Sequence, residues 1–370
     1  IVITPLPLIH RDLENYNDQE FDSVFLDEAQ NIKNPASKVS KAVRKIKSRF
    51  RIALSGTPVE NRVMDLWSIM DFVMPGYLGS QKEFQSRYEL PIAKLKDKQV
   101  ADRLRRRVSP FILRRLKTDV AKELPDKIEQ IHFCEMSSDQ SQFYQSVLSE
   151  SRNKILDSVN KSGFTKNKIL IFQTLMRLRQ ICCDLRLLGD DKNLEKTKSS
   201  KFDLLEELVS EAIDGNHKIL VFSQFTRMLD LLTKSADEKE YGYSLLTGKT
   251  QNRQKVIEEF KENENKNIFF ISLKAGGTGL NLTEADIVIH YDPWWNPAVE
   301  DQATSRAHRI GQSKVVSSYK LITKGTIEEK ILHLQSKKRD IFKTMVDENA
   351  KMADSLSWDE VQDLLVDPEN

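Results

Sequence analysis

Two arginines in this sequence are placed where they could stabilise negative charge. Arg306 and Arg309 lie in DQATSRAHRIGQ, a predicted helical stretch that follows the glycine-rich AGGTGLNL and the strand-like DIVIHYD. A guanidinium is planar and always charged, so it can stabilise the charge that develops when a phosphoryl group is transferred. Gln302, Arg306 and Arg309 stand at i, i+4 and i+7, which predicts that a helix presents all three on one face. The alternative is a solvated basic face.

An acidic pair near the amino terminus could complete such chemistry. The segment FDSVFLDEAQ, residues 21–30, is an apolar run ending in Asp27 and Glu28, and it predicts a buried parallel strand with acids at its carboxyl end. Ligands of open α/β sheets bind at that edge. Asp27 could hold Mg²⁺ through water, and Glu28 could orient or deprotonate an attacking water molecule. The alternative for such a pair is the start of a solvated loop.

Hydroxyl side chains follow the next predicted strand. SGTP begins at Ser55, directly after RIAL, so Ser55 and Thr57 are expected at the same sheet edge as the acidic pair. There they could link the state of a γ-phosphate to movement of a lobe, although capping of the next helix is the alternative. The phosphate-binding loop GxxxxGK[ST] occurs nowhere in the 370 residues.

The composition indicates a soluble, helix-rich chain of two or three domains. Of its 370 residues, 39% are hydrophobic and 30% are charged. The formal net charge is only +2, so any nucleic-acid contact must come from local basic patches. The three cysteines and six histidines form no metal-ligand spacing, and we expect reduced thiols. No apolar run reaches the roughly 18 to 20 residues of a membrane span, and no signal peptide is visible.

The order of apolar and amphipathic segments predicts an α/β fold with parallel sheets. Strands are expected at residues 1–3, 23–26 and 51–54, and in KILVFS, YSLLTG, NIFFIS, DIVIHYD and SSYKLIT. Helices are expected at residues 35–47, 61–74, 224–239, 250–263, 297–309 and 326–347. Between these two parts, from about residue 78 to 191, the pattern is mostly helical and heavily charged.

Nine segments, in order, resemble the Snf-two family of helicase-like, DNA-translocating ATPases of superfamily two. They cover nearly the whole chain: DEAQNIKNP, SGTPVENRVMDLWSIMDFVMPGYLG, PFILRRLKTDVAKELPDK, LMRLRQICCDLRLL, KILVFSQFTRMLDLL, LLTGKTQNRQ, AGGTGLNLTEAD, YDPWWNP and DQATSRAHRIGQ. The resemblance implies two RecA-like lobes, the first partial and the second complete, with ATP hydrolysed between them and Mg²⁺ carried with the ATP. Because the family normally has its phosphate loop ahead of the acidic motif, we expect this chain to be the carboxyl-terminal portion of a longer protein and inactive alone.

The same resemblance implies roles for individual residues. Arg309 is expected to be the γ-phosphate finger, with Arg306 beside it and Gln302 contributing polar contacts. Further nucleotide contacts are expected from Gln30, Gly277 and Gly279. Contacts with nucleic acid are expected from Ser55, Thr57, Lys274, Thr278 and Trp295.

Two other features leave alternatives open. Of the adjacent Trp294 and Trp295, one is expected to anchor the core; we expect Trp295 to point outward, where it could stack against a DNA strand. Seven lysines and arginines cluster between Arg103 and Lys117 around the apolar SPFIL. This cluster predicts a packed helical brace whose basic outer side could touch phosphates or acidic partners.

We expect four parts along the chain: residues 1–77 as the carboxyl-terminal part of a first RecA-like lobe, 78–200 as helical insertions and the inter-lobe connection, 201–348 as the second lobe, and 349–370 as an acidic tail. The intact protein is expected to couple ATP hydrolysis to movement along double-stranded DNA without fully separating its strands. The alternatives are a non-catalytic DNA- or protein-binding module and a strand-separating helicase of superfamily two. We expect a monomer in a bacterial cytoplasm, associated with the nucleoid, with a nucleoprotein or a polymerase as a possible partner.

Overall fold

The computed structural model describes residues 1–55, 63–95, 97–113, 115, 117–189, 197, 199–276, 279–344 and 358–365. The chain divides into two compact units. Unit 1 comprises residues 1–115 and 338–350, and unit 2 comprises residues 116–337 and 351–370. Among the described residues, none of the helices combines the length and the apolar character that crossing a membrane requires.

Unit 1 is built on two parallel strands, β1 (Glu20–Leu26) and β2 (Lys47–Ala53). Alternate residues of a strand point to opposite faces, so Phe25 and its register partner Ile52 share one face. That face is apolar yet exposed: Phe25 is 63% and Phe50 is 51% accessible. The opposite face packs on a core that includes Leu26, Ala29, Ile32, Val43 and Phe72.

The helices of unit 1 are short, and side chains cap the amino ends of α2, α4 and α6. Ser37 begins α2 because its side chain accepts a hydrogen bond from the backbone of Ser40 at 3.1 Å. Arg44 in the same helix pairs with Asp71 at 2.9 Å, which ties α2 to α3. The helices are α1 (Glu14–Asn17), α2 (Lys38–Lys45), α3 (Val63–Val73), α4 (Gln81–Phe84), α5 (Leu90–Leu95) and α6 (Lys98–Val108).

Unit 2 contains a six-stranded, wholly parallel sheet in the order β3-β8-β7-β4-β6-β5. Its strands are β3 (Lys127–Cys134), β4 (Ile219–Ser223), β5 (Tyr243–Leu246), β6 (Ile268–Ser272), β7 (Ile287–His290) and β8 (Val316–Thr323). Every residue of β4, β6 and β7 is buried. Continuous apolar strands of this kind occur where helices cover both faces of a sheet.

Two cores flank this sheet, and a third lies under a helical hairpin. Ile219 and Val221 of β4 face one core, whereas Leu220 and Phe222 face the other. The third core joins α8 and α9 to the last helix. The helices of unit 2 are α7 (Lys117–Val120), α8 (Ser138–Ser162), α9 (Phe164–Cys183), α10 (Ser200–Asp214), α11 (Thr226–Glu238), α12 (Arg253–Glu262), α13 (Leu273–Gly276), α14 (Pro297–Thr304), α15 (Ile327–Thr344), whose residues from 338 onward belong to unit 1, and α16 (Trp358–Leu365).

The predicted α/β class with parallel sheets is confirmed, and seven of the eight predicted strands are present. The strand predicted at residues 1–3 is wrong, because none of the described strands pairs with it and a 3₁₀ helix, Leu6–Leu8, follows. Strand β3 was not predicted. The helix predicted at residues 297–309 ends at Thr304, where tighter turn hydrogen bonds replace the helical pattern: Arg306 N–H donates to the Ala303 carbonyl, and Ala307 N–H to the Thr304 carbonyl, both at 3.1 Å.

Candidate functional site

The acidic pair lies at the carboxyl end of β1, in unit 1. Asp27 and Glu28 follow the last residue of that strand, and the short 3₁₀ helix Ala29–Ile32 comes next. Asp27 is exposed, and its Oδ1 accepts a hydrogen bond from the backbone N–H of Glu28 at 2.9 Å. An exposed carboxylate at the carboxyl edge of a parallel sheet is a suitable hard ligand for Mg²⁺.

Glu28 occupies a backbone conformation that few residues other than glycine adopt. Its φ of 49° and ψ of 51° lie in the left-handed region. Such a conformation costs on the order of 1–3 kcal/mol and is concentrated at functional sites. It turns the chain immediately after the strand, so that the side chains on both sides of the turn meet at the sheet edge.

A hydrogen-bonded chain links the end of β2 to Glu28. Ser55 Oγ donates to Gln30 Oε1 at 2.6 Å, and Gln30 Nε2 donates to Glu28 Oε2 at 2.5 Å. The backbone supports this arrangement, since Ala29 N–H donates to the Leu54 carbonyl at 2.9 Å. The structure therefore brings Glu28, Gln30 and Ser55 together as the two strand ends predicted. Thr57 lies outside the described residues.

The two arginines lie in unit 2, on a turn rather than on a helix. We call residues 305–312 the arginine turn; it follows α14, and Gly311 within it has a φ of 102°. Because α14 ends at Thr304, the predicted single helical face with Gln302 is not formed. Arg306 is only 9% exposed, and its Nε donates to the Gly276 carbonyl at 3.3 Å. Arg309 is exposed, so the turn separates a buried arginine from a solvent-facing one.

Other cations surround the arginine turn. Lys117 Nζ donates to the carbonyl of His308 at 3.0 Å, and His308 Nε2 lies 2.7 Å from the Pro125 carbonyl. Partial burial, and then the nearby charges of Lys127, Arg309 and Arg306, lower the pKa of Lys117. Positive charges gathered in this way attract an anion. The turn therefore suits a negatively charged group such as a phosphate.

The glycine-rich segment lies beside the arginine turn. A Cβ at Gly276 would come within 2.8 Å of the Phe222 ring, so this glycine allows close packing of α13 on the sheet. A Cβ at Gly279 would meet no other atom within 4 Å, and Lys274 is exposed. Gln302 is partly buried in α14. Gly277 and Thr278 lie outside the described residues.

The tryptophan loop, residues 292–296, joins β7 to α14. Trp294 and Trp295 are both partly buried, and each packs against a different core of unit 2. The indole Nε1 of Trp295 is itself buried. Trp295 therefore reaches solvent with only part of its side chain, and its role as a DNA contact stays a prediction.

The first part of the predicted basic cluster, Arg103 to Arg107, lies on α6 of unit 1, whereas Lys117 belongs to unit 2 and Arg114 lies outside the described residues. Leu104 and Val108 of α6 are buried, whereas Arg103, Arg105 and Arg106 are exposed. Arg107 Nη2 donates to the Tyr77 carbonyl at 2.7 Å.

Within the described parts of the chain, no group of three or more histidine, cysteine, aspartate or glutamate side chains could hold a metal ion. A single carboxylate such as Asp27 is enough for a Mg²⁺ ion whose remaining ligands are phosphate and water.

Several residues that organise unit 2 were not found from the sequence. Arg179, Glu300 and Gln335 are buried and hydrogen-bond to the tryptophan loop or its surroundings. Charged side chains in helical segments usually lie on solvated faces. In Arg179 the one available signal was its position among apolar neighbours in LMRLRQICC.

Comparison with known proteins agrees with this architecture. A model of the SNF2-related domain matches residues 1–187, and a model of the helicase conserved C-terminal domain matches residues 200–311. The putative ATP-dependent helicase/translocase YwqA of Bacillus subtilis is 43% identical over 346 residues, which are 91% of this chain and 37% of that protein. An uncharacterized ATP-dependent helicase of Mycoplasma genitalium is 37% identical, over 98% of this chain and 34% of that protein. The chain thus spans about a third of the length of these relatives.

A solved structure extends the comparison to the fold. The SWI2/SNF2 ATPase core of Sulfolobus solfataricus, determined in complex with double-stranded DNA, is 38% identical. The match has a TM-score of 0.54 and covers 97% of this chain and 75% of that one. The sequence match over both halves and the structural match over nearly all of the chain lead to one assignment: this chain belongs to the SNF2-related family.

Proposed function

We propose that the protein containing this chain hydrolyses ATP and uses the hydrolysis to move along duplex DNA. The observation that carries the proposal is the hydrogen-bonded chain from Ser55 through Gln30 to Glu28, at the carboxyl edge of β1 and β2. Glu28 holds a strained backbone conformation there, beside the exposed Asp27. Similarity to ATP-dependent helicases from two bacteria supports the same assignment.

Each acidic residue has a distinct proposed role. Glu28 orients or deprotonates the attacking water, and its hydrogen bond from Gln30 fixes the direction of the carboxylate. Asp27 is the Mg²⁺ ligand; the ion, when bound with ATP, neutralises charge on the phosphates. Because Ser55 holds Gln30, a movement at Ser55 would be transmitted to Glu28. This is how we propose that DNA engagement near Ser55 and Thr57 regulates hydrolysis.

Unit 2 supplies the positive charge in this proposal. Arg309, exposed on the arginine turn, is the γ-phosphate finger, and Arg306 holds the turn against the Gly276 carbonyl as well as contributing charge. Gln302, Gly277 and Gly279 add contacts on the same side of the nucleotide. Lys274, Thr278 and Trp295 are the proposed contacts of this unit with DNA.

We propose that the phosphate loop, whose pattern GxxxxGK[ST] does not occur in these 370 residues, is supplied by another part of the protein. The exposed apolar face of unit 1, which carries Phe25 and Phe50, supports this proposal, since apolar surface of that kind is normally covered by further chain. We therefore propose that the 370-residue chain alone has negligible ATPase activity. We also propose that the protein is a monomer in a bacterial cytoplasm. A nucleoprotein or polymerase partner would bind parts of the protein other than this chain.

The proposal is tested by DNA-stimulated ATP hydrolysis. A form of the protein that includes a phosphate loop should hydrolyse ATP, and duplex DNA should stimulate the reaction. Glu28→Gln should abolish turnover while ATP still binds, whereas the 370-residue chain should show no turnover at all. Turnover by the 370-residue chain that Glu28→Gln abolishes would refute the need for a phosphate loop. Absence of hydrolysis in the longer form would favour a non-catalytic binding module.

Movement without strand separation needs its own assay. The SNF2 core of Sulfolobus solfataricus was solved with double-stranded DNA, and a duplex is the substrate that we propose for this protein too. A translocase should displace the third strand of a triplex in an ATP-dependent reaction and leave a forked duplex intact. Unwinding of the fork at a comparable rate would instead identify a strand-separating helicase.

A further inference from the structure

Arg179, close to the carboxyl end of α9, is a fully buried cation with contacts to three parts of unit 2. The residue has 0% exposure. Its Nη1 donates to Gln224 Oε1 at 2.9 Å, and its Nη2 lies 3.4 Å from Asp292 Oδ2. The same Nη2 donates to the Pro293 carbonyl. The guanidinium therefore binds both the side chain and the backbone at the start of the tryptophan loop.

Aromatic rings complete the surroundings of this guanidinium. Its central carbon lies 5.3 Å from the ring centroid of Trp295 and 5.9 Å from that of Trp294. The Phe225 ring lies 5.8 Å away. A guanidinium interacts favourably with aromatic faces at these distances. Both tryptophans of the loop are thus held by the same cation that binds its backbone.

Asp292, the partner of Arg179, is itself fixed from the β4 side. Its Oδ1 accepts hydrogen bonds from Ser223 Oγ at 2.5 Å and from the backbone N–H of Gln224 at 3.2 Å. Burial raises the pKa of Asp292 to about 6, although Arg179 opposes that shift. A buried ion pair adds little net stability compared with apolar packing, but removal of one partner leaves the other charge buried and unpaired.

A second set of contacts holds the far side of the loop. Glu300 Oε1 accepts from the Trp294 backbone N–H at 2.6 Å, and Gln335 donates to the Trp294 carbonyl. Lys320 pairs with Glu300 at 2.7 Å. Asn296 then starts α14 by accepting a hydrogen bond from Ala298 N–H at 3.2 Å. The loop is consequently clamped along its length, and α14 continues from it to the arginine turn.

We propose that Arg179 is a positioning residue for ATP hydrolysis: by fixing the tryptophan loop it sets where α14, and hence the arginine turn, lies. The inference rests on the proposed function, because the turn must act on ATP for its position to affect turnover. A displaced finger weakens transition-state stabilisation more than ATP binding, since an arginine finger acts on charge that develops during transfer. Loss of Arg179 should therefore lower kcat rather than raise KM.

The key variant is Arg179→Lys, which keeps the charge but cannot reach Gln224, Asp292 and Pro293 together. In a form that includes a phosphate loop, kcat should fall roughly tenfold to a hundredfold, as small misplacements of catalytic groups do elsewhere. The KM for ATP should change by less than about threefold, consistent with an effect confined to the transition state. Arg177→Lys is the matched control, because Arg177 lies two residues away on the exposed side of α9. It should behave as wild type.

Hydrogen exchange on the 370-residue chain provides a readout that does not depend on activity. In Arg179→Lys, backbone amides of residues 292–304 should exchange several-fold faster, whereas those in the middle of β6 should be unchanged. Asp292→Asn should produce the same local pattern, and the double variant should be no worse than either single one. Because Asp292→Asn preserves shape, it serves as the second test if Arg179→Lys fails to fold.

The outcomes separate this inference from the proposed function. If the longer wild-type form hydrolyses no ATP, the proposed function fails, and exchange at residues 292–304 still decides whether Arg179 fixes the loop. If it does hydrolyse ATP, an Arg179→Lys variant with wild-type kcat and wild-type exchange overturns the inference. A rise in KM with unchanged kcat also overturns it, because that result would place Arg179 in ATP binding.

Discussion

At the scale of single residues, the structure distinguishes two arginines that look equivalent in the sequence. Both were expected on one helical face, but α14 ends before either of them. Arg306 is buried and bonds to the Gly276 carbonyl, whereas Arg309 is exposed. Substitution of Arg306 should therefore reduce both stability and turnover, whereas substitution of Arg309 should reduce turnover alone.

Arg309→Ala should lower kcat by roughly 10³-fold, as loss of an arginine finger does in related chemistry, with little change in stability. Arg306→Ala should also lower kcat, and in addition lose about 1–3 kcal/mol of unfolding free energy, because the change removes a hydrogen bond and leaves the Gly276 carbonyl without it. Turnover is measured in a form with a phosphate loop, and unfolding in urea is measured on the 370-residue chain. The exposed Arg177→Ala serves as the control. Near-normal hydrolysis in both turn variants would leave the turn as a solvated basic surface.

Sequence patterns located several chemistry-bearing residues but not the contacts that fix them. The order of strand and acidic pair predicted that Glu28 and Ser55 would share a sheet edge, because carboxyl ends of parallel strands meet there. The role of Gln30 as the bridge between them depends on side-chain geometry that no spacing rule supplies. Arg179 was missed for a related reason: its apolar neighbours in the sequence hint at burial, but its partner Asp292 lies more than 100 residues away along the chain.

At the scale of elements, the spacing of hydrophobic residues predicted most strands and helices. The elements that it did not predict depend on contacts with distant parts of the chain. Strand β3 carries exposed residues along most of its length, so it lacks the continuous apolar pattern of β4 or β6. It forms because β8 offers an edge with which all eight of its residues pair. The carboxyl-terminal segment 349–370 was expected to be an acidic tail, yet Val361 and Leu364 of α16 are buried in the core of the α8–α9 hairpin.

The junction between β7 and α14 should make the folding stability of the chain depend on pH. His290 is buried at the end of β7, with its Nε2 2.9 Å from Thr304 Oγ1 at the end of α14. Burial lowers the pKa of His290 to about 4 from its ordinary value of 6.5. Between these values the unfolded chain takes up a proton that the folded chain does not. The contribution of His290 to the free energy of unfolding is therefore complete above pH 6.5. It falls by on the order of 3 kcal/mol as the pH drops towards 4.

His290→Gln removes the titrating group, so its stability should fall less steeply between pH 6.5 and pH 4.5 than that of the wild type. Burial raises the pKa of Asp292 to about 6, so the folded chain binds this proton first and Asp292 makes the chain more stable as the pH falls. Asp292 is present in both proteins, so its contribution cancels in the comparison. Urea unfolding at pH 7, 5.5 and 4.5 measures the difference. His333→Gln, at an exposed histidine of α15, is the control and should follow the wild type. Parallel pH profiles for His290→Gln and the wild type would show that His290 does not cause the loss.

At the scale of the whole molecule, charge is distributed in patches rather than as a net excess. The chain carries only +2, yet exposed arginines line α6 and cations surround the arginine turn. A protein that moves along any sequence must contact mainly the DNA backbone, because base contacts would hold it at one site. Binding to duplex DNA should therefore depend on these local patches and respond strongly to salt.

The 370-residue chain should bind duplex DNA weakly, at roughly 10⁻⁴ to 10⁻⁶ M, with an affinity that falls linearly on a log–log plot against salt. Each phosphate contact releases counterions, so Lys274→Ala should make the slope shallower by about one. Trp295→Ala should weaken binding without altering the slope, since an aromatic contact releases none, provided that exchange in the tryptophan loop is unchanged. Lys234→Ala, at an exposed lysine of α11, is the control. Fluorescence anisotropy on two unrelated duplexes decides the matter: a strong preference for one sequence, or an affinity that salt does not change, would rule out tracking along the backbone.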